Sequence, residues 1–153
     1  MSEPLHAETA ALARVRALSR QPWSDEHVGE LDSRLLQVRG ILNVLLFQYG
    51  QLDGSREEWR SGMALVLLRV RTLLEECCAL LDVPEAPATG LASRLQEARA
   101  VVGMIEECFF KFEGSHDMEP FDAETTYGTL SACHQLVAEA FLIIRAPVSA
   151  VQH

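Results

Sequence analysis

The apolar residues of this 153-residue chain recur at spacings that alternate between three and four, which is typical of helices that pack along one face. The first such pattern has no gap: Val28, Leu31, Leu35, Val38, Leu42, Leu45, Tyr49 and Leu52. Adding sixty to each number from Leu31 onward gives a second pattern that is again entirely apolar: Leu91, Leu95, Ala98, Val102, Ile105, Phe109 and Phe112. Both patterns end in an acid followed by Gly-Ser, at 52–55 and 112–115, and glycine is favoured at helix ends. These patterns predict two related helices.

A third and a fourth apolar pattern are also related to each other. The third is preceded by Trp59 and consists of Met63, Val66, Val70, Leu73, Cys77 and Leu80. The fourth lies 67 residues later and consists of Leu130, Cys133, Val137, Ala140, Ile144 and Pro147. The offset grows because about one heptad, roughly 116–122, is inserted at the second turn, where a longer loop is tolerated. The stretches LDSRLLQVR from Leu31 and LASRLQEAR from Leu91 match in the same register, so the sequence predicts two related helical hairpins in tandem.

Capping and helix-breaking residues set the predicted bounds. Ser24 followed by two acids is typical of a helix start, and 55–58 reads as a capping box. The prolines and glycine of 83–90 indicate a linker, while Pro120 suits a first turn and Pro147 ends the last helix. The predicted helices span 6–20, 24–53, 55–82, 90–113 and 119–146.

The predicted fold class is all-α: an antiparallel up-down-up-down four-helix bundle made of two tandem hairpins, plus a short N-terminal helix. The whole of 1–153 is predicted to be a single helical domain. Its parts are an N-terminal helix at 6–20, a first hairpin at 24–82, a linker at 83–89, a second hairpin at 90–146 and a tail at 147–153. The alternative is that the two hairpins pack with a second chain instead of with each other.

Charge and cysteine usage narrow the functional classes. Residues 1–71 carry nine bases and nine acids, whereas 72–153 carry four bases and thirteen acids and therefore hold the whole net charge of −9. An acidic chain without a basic stripe argues against nucleic-acid and anionic-membrane binding. The N-terminal sequence lacks a signal-peptide pattern, and the chain has no uncharged apolar run long enough to span a membrane. Four cysteines without a disulfide-scaffold layout favour the cytoplasm.

The sequence predicts no catalytic residue, no cofactor and no metal. A di-iron bundle needs Glu-x-x-His pairs that point into the core from facing helices, and the apolar core patterns of this chain contain no carboxylate. The soft-metal candidates lack the ligand spacing of a zinc site, and apolar core filling is the favoured interpretation of the cysteines. These candidates are Cys77, Cys78, Cys133 and His134. The acids around the second turn, from Glu106 to Glu124, lack the spacing of a calcium loop and are interpreted as solvated surface.

A second apolar stripe distinguishes the first long helix from its repeat. The stripe faces away from the first pattern and consists of Leu36, Gly40, Val44 and Phe47. The matching positions of the repeat are more polar: Gln96, Ala100, Met104 and Glu107. Since an apolar stripe left in water promotes association, the sequence predicts that something covers it. The favoured cover is the N-terminal helix, through Leu12, Val15 and Leu18, and the alternative is a second subunit.

The leading functional interpretation is a non-enzymatic protein–protein interaction or adaptor module that forms a homodimer or binds a protein partner. The alternative is a regulatory bundle that holds a small apolar ligand, because small residues beside large aromatics leave room in a core. The predicted cavity lining is Tyr49, Ala98, Phe109 and Ala140. A third possibility is an enzyme with a Cys/His site, which requires thiols that react at neutral pH.

Overall fold

A computed structural model describes residues 3–50, 62–87, 89–111 and 121–145. Within these ranges the chain forms five α-helices and no strand, which confirms the all-α class. The helices are α1 (Glu3–Leu18), α2 (Asp25–Gly50), α3 (Met63–Leu81), α4 (Leu91–Lys111) and α5 (Ala123–Arg145).

The last four helices share one apolar core. Helix α2 packs against α3 and α5, and α4 packs against the same two helices, while α1 lies outside this group and packs on α3. Most described positions of the four patterns are buried in this core, among them four fully buried residues for which the sequence predicts a single layer: Leu42, Val70, Val102 and Val137. Placing these positions on one helical face buries them together because the spacing of three and four follows the helical period.

The predicted core register is wrong at Val66, which is exposed, whereas its neighbour Leu67 is fully buried. The buried face of α3 runs through Met63, Leu67, Val70 and Leu74, a four-three-four spacing that the pattern through Val66 misses. Val28 and Ile144, at the ends of their patterns, are half-buried. The predicted members Leu52, Trp59, Phe112 and Pro147 lie outside the described residues.

Helix starts differ in detail from the predicted ones. Helix α5 begins at Ala123, and Asp122 is its cap because its Oδ1 accepts a hydrogen bond from the Thr125 amide at 2.6 Å. Hydrogen bonds from the Thr125 side chain and from its amide hold the pKa of the Asp122 carboxyl below its ordinary value. The predicted capping box at 55–58, both Gly-Ser turns, Pro120 and the tail at 147–153 lie outside the described residues.

Gly90 supports the start of α4. Its φ of +75° is in the region that L side chains rarely adopt, and an added Cβ would lie 2.8 Å from the Arg94 guanidinium. A glycine is therefore required where the linker turns into the helix.

Helix α5 has the length and the mean hydropathy, 1.2, of a membrane-spanning helix, and it is the one described helix that does. Helices at the centre of a bundle share both properties. One face of α5 is buried against α2 and α4, through Leu130, Cys133, Val137 and Ala140.

Candidate interaction surface

The apolar stripe on α2 is exposed in the single chain. The side chains of Leu36, Val44 and Phe47 are 41 %, 61 % and 66 % exposed. Gly40 is exposed as well, and an added Cβ there would find no other atom within 4 Å. The structure therefore places the four predicted residues on the surface of one helix, and nothing in the described chain covers them.

Helix α1 packs on its own chain, but not on this stripe. Its residues Val15 and Leu18 are buried, whereas Leu12 is exposed. The expectation that α1 covers the stripe is wrong because α1 docks on the neighbouring face of α2 and on α3. On that face, side chains of α2 donate hydrogen bonds to backbone carbonyl oxygens of α1, and the stripe has no side chain that could do so.

Three residues of α2 hold α1, and they lie on one helical face at spacings of three and four. His27 Nε2 lies 2.8 Å from the Leu18 carbonyl oxygen at the end of α1. Glu30 forms an ion pair with Arg14. Arg34 Nη2 donates to the Ala11 carbonyl oxygen at 3.4 Å.

The hydrogen bonds of His27 fit one neutral tautomer. Since a carbonyl oxygen only accepts, Nε2 carries the proton and donates it to Leu18. Nδ1 then accepts from the Ser24 hydroxyl, 2.9 Å away. The predicted capping role of Ser24 is therefore only partly right: its carbonyl receives the amides of His27 and Val28, but its side chain holds the His27 ring.

Arg34 is a buried charge surrounded by acceptors. Its Nε donates to Glu76 Oε2 at 2.8 Å, and its Nη1 donates to the Glu30 carboxylate and, at 3.2 Å, to the Glu30 carbonyl oxygen. Burial acts to lower the pKa of Arg34, but the hydrogen bonds to both glutamates outweigh it and leave the pKa raised. The core patterns contained no carboxylate, so sequence reasoning missed this pair, which lies beside the predicted core positions.

A second arginine, in the second half of the chain, makes two contacts of the same kind as Arg34. Arg94 lies sixty residues after Arg34, its Nε donates to Glu139 at 2.9 Å, and its Nη1 donates to the Gly90 carbonyl oxygen at 3.2 Å. The two sites differ in exposure: the side chains of the Arg34–Glu76 pair are 5 % and 10 % exposed, against 38 % and 40 % for the Arg94–Glu139 pair. The shared Ser-Arg of the two repeated stretches was the signal that could have indicated these pairs.

A groove of about 580 Å³ opens beside the Arg34 site. It lies between α1, α2 and α3, and its apolar lining includes Leu12, Leu65 and Leu68. The four predicted cavity residues are buried, but none of them lines this groove or the smaller pocket of about 380 Å³ next to Cys78. The predicted cavity lining stays a prediction.

The cysteines and acids do not assemble a reactive cluster in the described part of the chain. Burial raises the pKa of Cys77 and of Cys78, and raises that of Cys133 to about 12. No group of three or more His, Cys, Asp or Glu side chains there is arranged to hold a metal ion. Of the acids around the second turn, Glu106 pairs with Arg71 at 3.8 Å.

No model of a known protein family, no curated protein and no solved structure matches this chain.

Proposed function

We propose that this protein is a non-enzymatic interaction or adaptor module that binds another protein chain through the exposed face of α2. The observation that carries the proposal is the exposed stripe of Leu36, Gly40, Val44 and Phe47, because large apolar side chains that recur on one exposed helix face mark association sites. Another protein chain that packs on the stripe would remove these apolar side chains from water.

The cysteine chemistry supports a non-enzymatic role. A nucleophilic cysteine needs a lowered pKa, and burial instead raises the pKa of Cys77, Cys78 and Cys133. All four cysteines are free, which favours a reducing compartment such as the cytoplasm.

The antiparallel up-down-up-down arrangement of two tandem hairpins is part of the proposal. Arg34, near the start of α2, pairs with Glu76, near the end of α3, as expected for antiparallel neighbours. Arg145, at the end of α5, likewise pairs with Asp32 near the start of α2. Arg34 and Arg94 hold the same place in the two matching stretches, and each donates from Nη1 to the carbonyl oxygen four residues earlier, which supports common descent of the two halves.

A photo-crosslinking side chain tests the interaction directly. The crosslinker replaces Val44 in one variant and Met104, its exposed repeat counterpart, in a matched control. Irradiation of living cells is expected to give a discrete adduct from position 44, identified by mass spectrometry, and none from position 104. The proposal is wrong if position 44 gives no adduct, or if both positions give the same ones.

A second candidate function is the binding of a small apolar ligand in the groove beside α1. The groove volume of about 580 Å³ is in the range of small-molecule sites, and four leucines line it. Thermal shifts with fatty acids and aromatic compounds test this candidate. A shift that Leu68→Glu abolishes supports it, whereas unchanged melting with every compound removes it.

A further inference from the structure

The groove beside α1 runs on between α2 and α3 past the Arg34 site. In the antiparallel arrangement proposed above, Arg34 lies opposite Glu76, so that about ten residues farther along each helix Val44 lies opposite Val66. The distance along the groove is roughly 15 Å, at about 1.5 Å per residue. Both apolar side chains are exposed, and Leu65, next to Val66 in the chain, is 67 % exposed and lines the groove. The groove therefore extends beyond the Arg34 site and stays open to water there.

Apolar side chains recur about once per helical turn on both sides of the groove. Val44 and Phe47 are exposed on α2, and Leu65 and Leu68 are exposed on α3. The side chains on one face of another helix repeat over the same distance, about 5.4 Å, and fit between such rows. The side chains on one face of an extended strand repeat about every 7 Å and do not match this spacing. The spacing on both sides therefore favours a helix as the occupant.

Gly40 lies one turn before Val44, on the α2 side of the groove. Glycine destabilises a helix relative to alanine, and an added Cβ at this position would meet no other atom within 4 Å. Its φ is not positive, so the backbone does not require a glycine either. A missing side chain here lets the backbone of a helix in the groove approach α2 closely.

The groove has one charge without a partner in the described part of the chain. Arg34 pairs with two glutamates that also line the groove. Arg69 lines it as well, is exposed, and forms no ion pair with another described residue. Residues 40–50 of α2 and 63–68 of α3 contain no Asp, Glu, Lys or Arg. An occupant that complements this composition has an uncharged apolar face and one carboxylate near Arg69.

Helix α1 shows that α2 and α3 hold a helix by contacts of this kind. Its Val15 and Leu18 are buried, and its Arg14 forms an ion pair with Glu30 of α2. The apolar side chains thereby leave water, and the charge meets one of opposite sign. In the open part of the groove the apolar side chains are again present, but the sign of the charge is reversed, since Arg69 is a cation.

We propose that the groove binds an amphipathic helix of another protein, with its apolar face between Val44 and Leu65 and an acidic side chain against Arg69. Laying the apolar face of a helix into a groove between helices is a common mode of peptide recognition. This inference rests on the proposed interaction function and names the kind of partner.

A photo-crosslinking side chain in place of Leu65 tests whether the partner contacts α3 as well as α2. The matched control replaces Leu142 of α5, which is 73 % exposed and lies outside the groove. Position 65 is expected to join the same segment of the same protein as position 44, and position 142 is expected to join none. If only position 44 gives an adduct, or if position 65 joins a different protein or a second copy of this chain, the groove proposal is wrong and the proposed function stands. If position 44 gives none, both are wrong.

A display library of random peptides, about 16 residues long, tests the chemistry of the occupant. The wild-type chain is one bait, and a chain with Val44→Lys and Leu65→Lys is the matched control. Both positions are exposed, so the control is expected to fold as wild type does, which circular dichroism checks. Peptides selected by the wild type are expected to carry apolar residues at spacings of three and four with one acid at a constant place. They are expected to bind the control at least about tenfold more weakly, because the groove then buries lysines without a partner.

An Arg69→Glu bait tests the predicted ion pair. It is expected to select the same apolar spacing with a basic residue in place of the acid, and to bind the peptides selected by wild type about two- to fivefold more weakly. If it selects the acid as the wild type does, the pairing with Arg69 is wrong. Selected peptides without helical spacing overturn the helix as occupant. Thermal stabilisation by a fatty acid, together with a library that yields no binding peptide, assigns the groove to a small ligand and also overturns the proposal.

Discussion

Replacing Arg34 by methionine tests whether the buried ion pair stabilises the packing of α1, α2 and α3. Methionine retains most of the aliphatic volume but removes every donor. The Glu76 side chain, 10 % exposed, then loses its guanidinium partner, and the Ala11 carbonyl loses its bond from α2. Glu30 keeps its ion pair with Arg14 and is less affected.

The magnitude follows from the exposure of the pair. Removing one member of a buried ion pair costs about 3–5 kcal/mol, and the retained Glu30 pair favours the lower end, about 3 kcal/mol. Arg94→Met is the matched control, because its pair with Glu139 has the same geometry but is roughly 40 % exposed on both sides. An exposed pair contributes about 0–1 kcal/mol, so the two substitutions should differ by about 2 kcal/mol or more.

Urea unfolding followed by circular dichroism measures this difference. With a slope of about 1–3 kcal/mol per molar urea, Arg34→Met should lower the midpoint by about 1–3 M at an unchanged slope. Adding Glu76→Leu should recover much of the loss, since the uncompensated carboxylate is then gone. If Arg34→Met and Arg94→Met lower the free energy of unfolding equally, the larger cost at Arg34 does not come from its burial under α1.

Three further predictions concern other parts of the bundle. Leu42→Asp or Val102→Asp should abolish cooperative unfolding, because both positions are fully buried; unchanged melting of both would contradict the core register. Native Cys77 and Cys133 should resist alkylation at neutral pH until urea unfolds the chain, and mass spectrometry measures this. Because burial raises the pKa of both thiols, the protein should keep its full stability below their ordinary pKa and lose stability as the pH rises above that value. Asp122→Ala should lower the melting temperature at neutral pH, and the difference from wild type should vanish as pH falls through the lowered pKa of Asp122; a difference that persists in strong acid would contradict the charged cap.

Helical class and most core positions could be predicted from the sequence. Helix formation and burial of one face depend on spacings of three and four along the chain, and these are local properties that Leu31, Leu35 and Val38 already display. The register error at Val66 shows the limit of this reasoning. Adjacent apolar residues offer two faces for burial, and the packing of α3 between α2 and α4 selects the one through Leu67.

The stripe on α2 could also be predicted from the sequence, because it appears when the positions of α2 are compared with the more polar matching positions of α4. The exposure of the stripe could not be predicted, because the sequence allowed α1 to dock on either side of α2. The direction of α1 depends on His27, Glu30 and Arg34, whose partners lie in other helices or at the end of α1.

The two arginines of the repeated stretch separate the local from the tertiary contribution. Arg34 and Arg94 occupy the same position of the same stretch, and each donates to a carbonyl four residues earlier and to a glutamate of the next helix. The sequence by itself determined the local part of this geometry, which is the bond to the carbonyl four residues earlier. Only the tertiary structure decided that Arg34 is buried and Arg94 half-exposed, because α1 covers the first site and the second has no equivalent cover in the described chain. The energy of a charge depends on the water that surrounds it, and no local spacing encodes which distant helix removes that water.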